Sequence, residues 1–294
     1  MVEFMKSPRA RLFSGAALIS LSPVWVTLVS VSPTTSGFYR VFIGAVALAV
    51  FLVVTGRRLA LSGRVWAILV LAAVLFWLDL FFWHRSILYV GTGLATLLAN
   101  FQVFIMMLAG IVLLRQKPRP IQLVAVPLAF VGLGMIVGLD WQSLPHDYRL
   151  GVLFGLLTAL LYAGYLLSLR AAQSDSQYRM PIREVAVISA ACAVFLGFTV
   201  VAEGGSLAIS TWPDAAWLLA YGILSHSIGW ILIASSLPQV STTEAGLALL
   251  LQPTLSFAWD VLLFDRPMQP IEMAGAAIAL MAIYLGSRSA SKQV

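Results

Sequence analysis

Residues 85–102 read RSILYVGTGLATLLANFQ, and residues 235–252 read SSLPQVSTTEAGLALLLQ. Shifted by 150 positions, both contain V-x-T-x-x-A-x-L-x-x-x-x-Q. Val90, Thr92, Ala95, Leu97 and Gln102 face Val240, Thr242, Ala245, Leu247 and Gln252. The register runs on without a gap: Leu113 meets Leu263, Pro120 meets Pro270, Ile121 meets Ile271 and Ala129 meets Ala279. Two Leu/Ala-rich helices match easily by chance, but Pro, Thr and Gln are scarce here, so their agreement marks an internal duplication. The first helices of the two halves match more loosely, near Gly15 and Gly155.

The chain around these segments is 61% hydrophobic and 10% charged, with a mean hydropathy of +0.95. A soluble domain carries about 25% charge, so there is too little polar surface for a water-facing globule, and the expected solvent is lipid. The net charge of +6 does not indicate nucleic acid, because the basic residues sit in short gaps between apolar runs and form no stripe. Cys192 is the only cysteine, which excludes an intrachain disulfide and a cysteine metal cluster. The start, MVEFMKSPRAR, is basic, but the apolar stretch behind it lacks a small-x-small cleavage site, so a retained first helix is expected.

A membrane helix needs roughly 20 mostly apolar residues. Ten candidates emerge: 12–31, 35–56, 65–84, 91–114, 120–138, 150–171, 182–202, 214–236, 242–264 and 270–288. The period-2 alternation of a lipid-facing barrel is absent. Counting gaps along the chain, 14 of the 18 Lys and Arg fall on one side, from Lys6, Arg9 and Arg11 to Arg288 and Lys292. The positive-inside rule then places both termini in the cytoplasm, with the chain multi-pass in a bacterial-type inner membrane. A repeat of five spans is odd, so its second copy enters from the opposite side. The expected fold is an all-α integral membrane protein of ten transmembrane helices, built as two inverted five-helix repeats, residues 1–139 and 140–294. Exchanging the shapes of the two halves would open a midplane cavity to either side in turn, with the two Gln-bearing helices as symmetry mates beside it.

Polar side chains at membrane depth usually face the bundle interior or a wet cavity. Asp79 lies in FWLDLFFWH, with Trp83 one turn later on its face, while Trp77 points about 200° away. It either binds an ammonium group or a proton, or is a satisfied buried acid. Asn100 and Gln102 are also about 200° apart and cannot share a target; Asn100 shares a face with Thr96. Gln252 is followed by Pro253, which frees a backbone carbonyl and favours a kink. Ser22 and Trp25 flank Pro23 in a similar broken segment. Tyr162 and Tyr165 lie in the first helix of the second half, Tyr165 roughly aligning with Trp25, and His226 and Trp230 sit one turn apart. The expected substrate-binding set is therefore Ser22, Trp25, Asp79, Trp83, Asn100, Gln102, Tyr162, Tyr165, His226, Trp230 and Gln252. An aromatic lining with few dipoles suits small amphipathic molecules. Trp66, Trp141, Trp212 and Trp217 fit the interfacial belt instead. Arg40 is read chiefly as a structural cation, with a substrate carboxylate as the other option, and Glu244 as a complement to the dipole of its helix.

The segment from Leu263 to Leu285, LFDRPMQPIEMAGAAIALMAIYL, resembles the final hairpin of the drug/metabolite transporter superfamily in its EamA-type branch. Arg40 in the second helix and the ten-helix length fit that resemblance, which covers nearly the whole chain. Two positions depart from it: Arg115-Gln116 and Asp265 stand where the Leu-Gly-Glu pattern would close the helix. The resemblance is greatest to exporters of amino acids, aromatic ones included, and implies a secondary transporter for such solutes working by alternating access. Facilitated movement without ion coupling is expected; the alternative is an exporter of lipophilic cations or drugs, proton-coupled through Asp79. No Walker loop, no Gly-x-Ser-x-Gly elbow, no His-Glu-x-x-His motif and no metal-ligand spacing among His84, His146 and His226 is present. No enzyme activity, metal or cofactor is therefore expected. The expected partners are a small-molecule substrate and the lipid bilayer, with no nucleic acid, and the chain is expected to act as a monomer.

Overall fold

The computed structural model describes residues 7–57, 61–137, 145–174, 180–264 and 269–288. They form helices without a strand among the described residues, and all ten expected spans fall on helical segments. In chain order these are α1 (Pro8–Leu28), α2 (Pro33–Val54), α3 (Gly63–Gly91), α4 (residues 92–112), α5 (Pro120–Val137), α6 (His146–Ala172), α7 (Pro181–Ala202), α8 (Trp212–Gln239), α9 (Thr242–Phe264) and α10 (Pro270–Arg288). Among the described residues seven of these are long and apolar enough to cross a membrane, and α4, α5 and α10 supply shorter apolar stretches. The expected repeat boundary at 139/140, Trp141 and Asp265 lie outside the described residues.

Local chemistry explains where the helices begin. Ser7 accepts from Ala10 N and precedes Pro8, Ser32 accepts from Thr35 N and precedes Pro33, and Thr211 accepts from Asp214 N. Proline at the first turn loses no helical hydrogen bond, and the hydroxyl satisfies one orphan N–H. Ser241 accepts from Glu244 N, so Glu244 stands in the first turn of α9, where the helix dipole favours it. The turn from α3 to α4 is made at Gly91, with φ 82 and ψ 165. That region is essentially confined to glycine. Gly91→Ala is expected to cost about 1–3 kcal/mol, read as a lowered thermal midpoint in detergent. Gly63→Ala, where an added Cβ meets nothing within 4 Å, is the matched control.

The ten helices obey a two-fold pattern in what they touch. α2 packs on α7, α4 on α9, and α5 on α10, each on its own repeat counterpart. α3 packs along α6, and the reciprocal pair α1 and α8 also meet; likewise α2 touches α8 and α3 touches α7. A two-fold axis between the halves demands this reciprocity, and five spans per half turn it into inversion across the bilayer. The main core joins α1 to α4 with α6 to α9, whereas Val103, Ala125, Val126, Ala129, Leu247, Leu250, Ala279 and Ala282 form a separate cluster holding α5 and α10 at the side. Outward faces carry large apolar residues such as Val53, Val54, Leu88 and Phe198, which lipid solvates. Trp66, Trp212 and Trp217 are exposed.

Breaks in the helices also follow the repeat. α4 is interrupted at Asn100–Phe101 and α9 at Leu250, 150 positions on. Pro253 explains the second break, because it offers no N–H to the preceding turn. Asn100 explains the first: its Nδ2 donates to Thr96 O at 2.6 Å, taking the carbonyl a backbone N–H would otherwise use. α1 breaks at Ser20–Leu21, ahead of Pro23, and α8 carries a π-helical segment, Tyr221–Ile228. Neither has a counterpart in α6 or α3, so symmetry is lost where α1 and α8 meet.

Candidate functional site

These interruptions surround one cavity at mid-bundle, of about 60 Å³, which has room for a few waters. Its wall is drawn from both halves. α1 gives Ile19, Ser22 and Pro23; α2 gives Arg40; α3 gives Phe76, Asp79, Leu80 and Trp83. α4 gives Thr96, Ala99 and Asn100, α6 gives Thr158 and Tyr162, α8 gives Trp230, and α9 gives Gln252 and Ser256. On α3 the four wall residues follow the spacing of one helical face. The break in α1 is stitched to α9: Ser256 Oγ donates to Ser20 O, and Trp259 Nε1 to Ser20 Oγ, both at 2.9 Å.

Of the residues expected from sequence, Ser22, Asp79, Trp83, Asn100, Tyr162, Trp230 and Gln252 come together in this wall. Gln252 Nε2 donates to Tyr162 Oη at 3.2 Å. Trp25, Gln102, Tyr165 and His226 do not line the wall. Tyr165 and His226 lie behind it: Phe76 stacks on Tyr165 at 4.5 Å and on His226 at 5.9 Å, and His226 Nε2 lies 2.7 Å from Ser189 Oγ. Trp25 donates from Nε1 to Ser225 Oγ at 2.9 Å and stacks on Trp217 at 5.8 Å, fastening the second half of α1 to α8. Gln102 is fully buried between α4 and α9, where Nε2 lies 3.5 Å from Gly246 O. The two glutamines are thus repeat mates, but only one reaches the cavity. Tyr162 holds Gln252, and its own counterpart, at the looser register of the first helices, is Ser22, whose hydroxyl is too short to hold Gln102 in the same way.

Arg40 enters the wall although its sequence reading leaned to structure. It is 4% exposed. Its guanidinium sits 5.2 Å from the Tyr221 ring and 5.8 Å from the Phe76 ring, and Nη1 donates to Tyr221 Oη at 3.3 Å. Nε has no partner. Asp79 is 7% exposed. Its backbone carbonyl lies 3.5 Å from Thr158 Oγ1, and its carboxylate has no hydrogen-bond partner among the described residues. No ion pair within 4.0 Å joins Arg40 to Asp79. Phe76 and Leu80 escaped the sequence reading, yet lie one turn before Asp79 and beside it, so its helical face would have found them. His84, next to Trp83, is buried against Gly37, with neither ring nitrogen bonded among the described residues.

Contacts between the halves tie the bundle at both ends of the cavity. At the end carrying the N-terminus, Arg9 pairs with Glu244 across the halves, while within the second half Arg170 Nη1 donates to Leu237 O and Val240 O. Gln116 Oε1 accepts from Thr242 N at 3.1 Å and Thr242 Oγ1 at 2.8 Å. Glu244 therefore does more than answer its helix dipole, and Gln116 supplies an uncharged cap at the departure from the resembled pattern. At the far end, Asp214 accepts from Ser30 N at 2.8 Å and Ser30 Oγ at 2.6 Å; Thr35 bonds Ser206 O, Tyr39 bonds Leu207 O, and Arg85 pairs with Glu203.

Two inverted bundles closed around a central cavity, with broken helices at its edge, define a membrane transporter of small solutes. The chain belongs to the EamA-like transporter family, which matches it twice, over residues 11–138 and 149–288. A solved crystal structure of a protein superposes with a TM-score of 0.77 over 97% of this chain and 96% of its own, at 16% identity, a likeness of fold alone. No curated protein matches the chain.

Proposed function

We infer that the protein is a secondary transporter that exports small amphipathic solutes, amino acids including aromatic ones foremost, by alternating access. The observation that carries this reading is the character of the cavity wall. Phe76, Trp83, Tyr162 and Trp230 face one small space together with a few polar groups from both repeats. Aromatic walls cover an apolar side chain, and sparse dipoles and charges orient the polar end. Contacts hold the halves at both ends of this small cavity, and parting of either set of ties would admit solute from one side. Arg9–Glu244 with the Gln116–Thr242 bonds, and the Asp214 clasp with Arg85–Glu203, are the two sets. The bias of basic residues supports cytoplasmic termini in a bacterial-type inner membrane. A cavity formed within one chain suits a working monomer, and export down a concentration gradient needs no ion.

Purified protein in liposomes is expected to give saturable flux of one or more amino acids without ATP and without proton movement. Absence of flux for every amino acid and related metabolite tried would refute the reading. A proton signal accompanying solute would replace facilitated export with proton coupling.

A further inference from the structure

We propose that the central cavity is a zwitterion site, in which Arg40 takes the carboxylate and Asp79 the ammonium group of one α-amino acid. The proposal rests on the transport reading above and assigns the poles of its substrate. Among the described wall residues, Arg40 and Asp79 alone carry formal charge, and they come from neighbouring helices, α2 and α3. Both are more than nine-tenths buried. A charge taken from water without a partner costs several kcal/mol, and opposite charges at this depth ordinarily close on each other. These two do not. Arg40 is held back by stacking near Phe76 and Tyr221 and by the Tyr221 hydroxyl. Asp79 is held by its helix, with Trp83 one turn on and its carbonyl beside Thr158.

An α-amino acid bears an ammonium and a carboxylate on one carbon. Set between the two residues it satisfies both and adds no net charge to a low-dielectric interior. Its side chain then falls among Phe76, Trp83, Tyr162 and Trp230. A simple amine satisfies Asp79 but puts a second cation near Arg40. A simple acid satisfies Arg40 but puts a second anion near Asp79. The site therefore discriminates against both, by desolvated like charge as well as by a missing bond. A lipophilic cation fails for the same reason, which separates this assignment from the reading of Asp79 as a counter-charge for drugs.

The test is counterflow in proteoliposomes with labelled L-phenylalanine, L-leucine and L-threonine. Each is competed by itself, by its decarboxylated amine and by its deaminated acid; for phenylalanine these are phenethylamine and 3-phenylpropionate. Wild-type protein is expected to favour the amino acid over either analogue by roughly 10- to 100-fold, the worth of one charge-assisted hydrogen bond. R40Q is expected to lose amino-acid flux by a similar factor while phenethylamine becomes an effective competitor. D79N is expected to do the reverse, admitting 3-phenylpropionate. Equal competition by amine and amino acid in the wild type overturns the assignment and leaves transport standing. Absence of flux for all amino acids, amines and acids overturns the transport reading and this assignment with it. Should either variant fail to fold, the wild-type competition decides alone.

Discussion

Replacing Trp230 with alanine is expected to remove about 3–5 kcal/mol of stability, the usual range for emptying a buried aromatic site. Trp230 is 1% exposed. Its indole meets Tyr165 at 4.8 Å, Phe76 at 5.5 Å and Tyr162 at 6.1 Å, all edge-on, so this side chain packs α8 against both α3 and α6. Each edge-to-face pair adds about 0.5–1.5 kcal/mol beyond packing. The void would adjoin the existing cavity, and the stack of Phe76 on Tyr165 and His226 resists collapse into it. The thermal midpoint in detergent is expected to fall by on the order of 10 °C. Trp230→Phe is expected to stay within about 1.5 kcal/mol of wild type, because it keeps a ring in place and discards an indole N–H that has no acceptor among the described residues. If alanine melts with wild type, the aromatic cluster is not the packing centre of the bundle. In transport, the alanine variant that survives should accept bulkier side chains, read as competition by larger amino acids.

Much of this architecture could be read from residues 85–102 and 235–252, because a duplication leaves its register in the rare residues. Thr92 with Thr242 and Gln102 with Gln252 fixed the offset, and the breaks in α4 and α9 then fall 150 positions apart. Asp79 was legible for a different reason: a carboxylate deep in an apolar helix needs an interior surface, and Trp83 shares its face. Symmetry misled at Gln102, since a repeat preserves the backbone more faithfully than the lengths of the side chains meeting it. Tyr162 and its mate Ser22 differ by an aromatic ring, and so do the fates of the two glutamines. For Arg40, nothing in α2 alone reveals that Tyr221, on the π-helical turn of α8, holds the guanidinium at the cavity. Tyr165 and His226 were drawn in by helical proximity to Tyr162 and Trp230, and lie one layer behind them.

Gly15→Val is expected to cost at least about 3 kcal/mol, the upper end of overpacking. An added Cβ at Gly15 would stand 2.7 Å from Gly229 O and 2.8 Å from Ile233 Cγ1. The isoleucine methylene can rotate aside, but the carbonyl belongs to the α8 backbone and cannot, so α1 must move off α8. Small residues at such crossings permit close backbone approach, from which membrane helices draw much of their packing energy in lipid. The same device recurs where α5 meets α10: a Cβ at Gly132 would meet Gly275 O at 2.5 Å and Ala279 N at 2.7 Å. That pair lies at the side of the bundle, outside the main core. The two glycines therefore separate folding from function. Gly132→Val should loosen α5 and α10 and reduce the yield of monodisperse protein while sparing the affinity of any that folds. Gly15→Val should also spoil the solute site, because Gly15 lies one turn before Ile19, and Gly229 directly before Trp230, both in the cavity wall. Size-exclusion of fluorescent fusions reports the first effect and counterflow affinity the second. A Gly15→Val protein that melts and transports as wild type would show that α1 and α8 can part at this crossing without consequence, contrary to the close fit of their backbones.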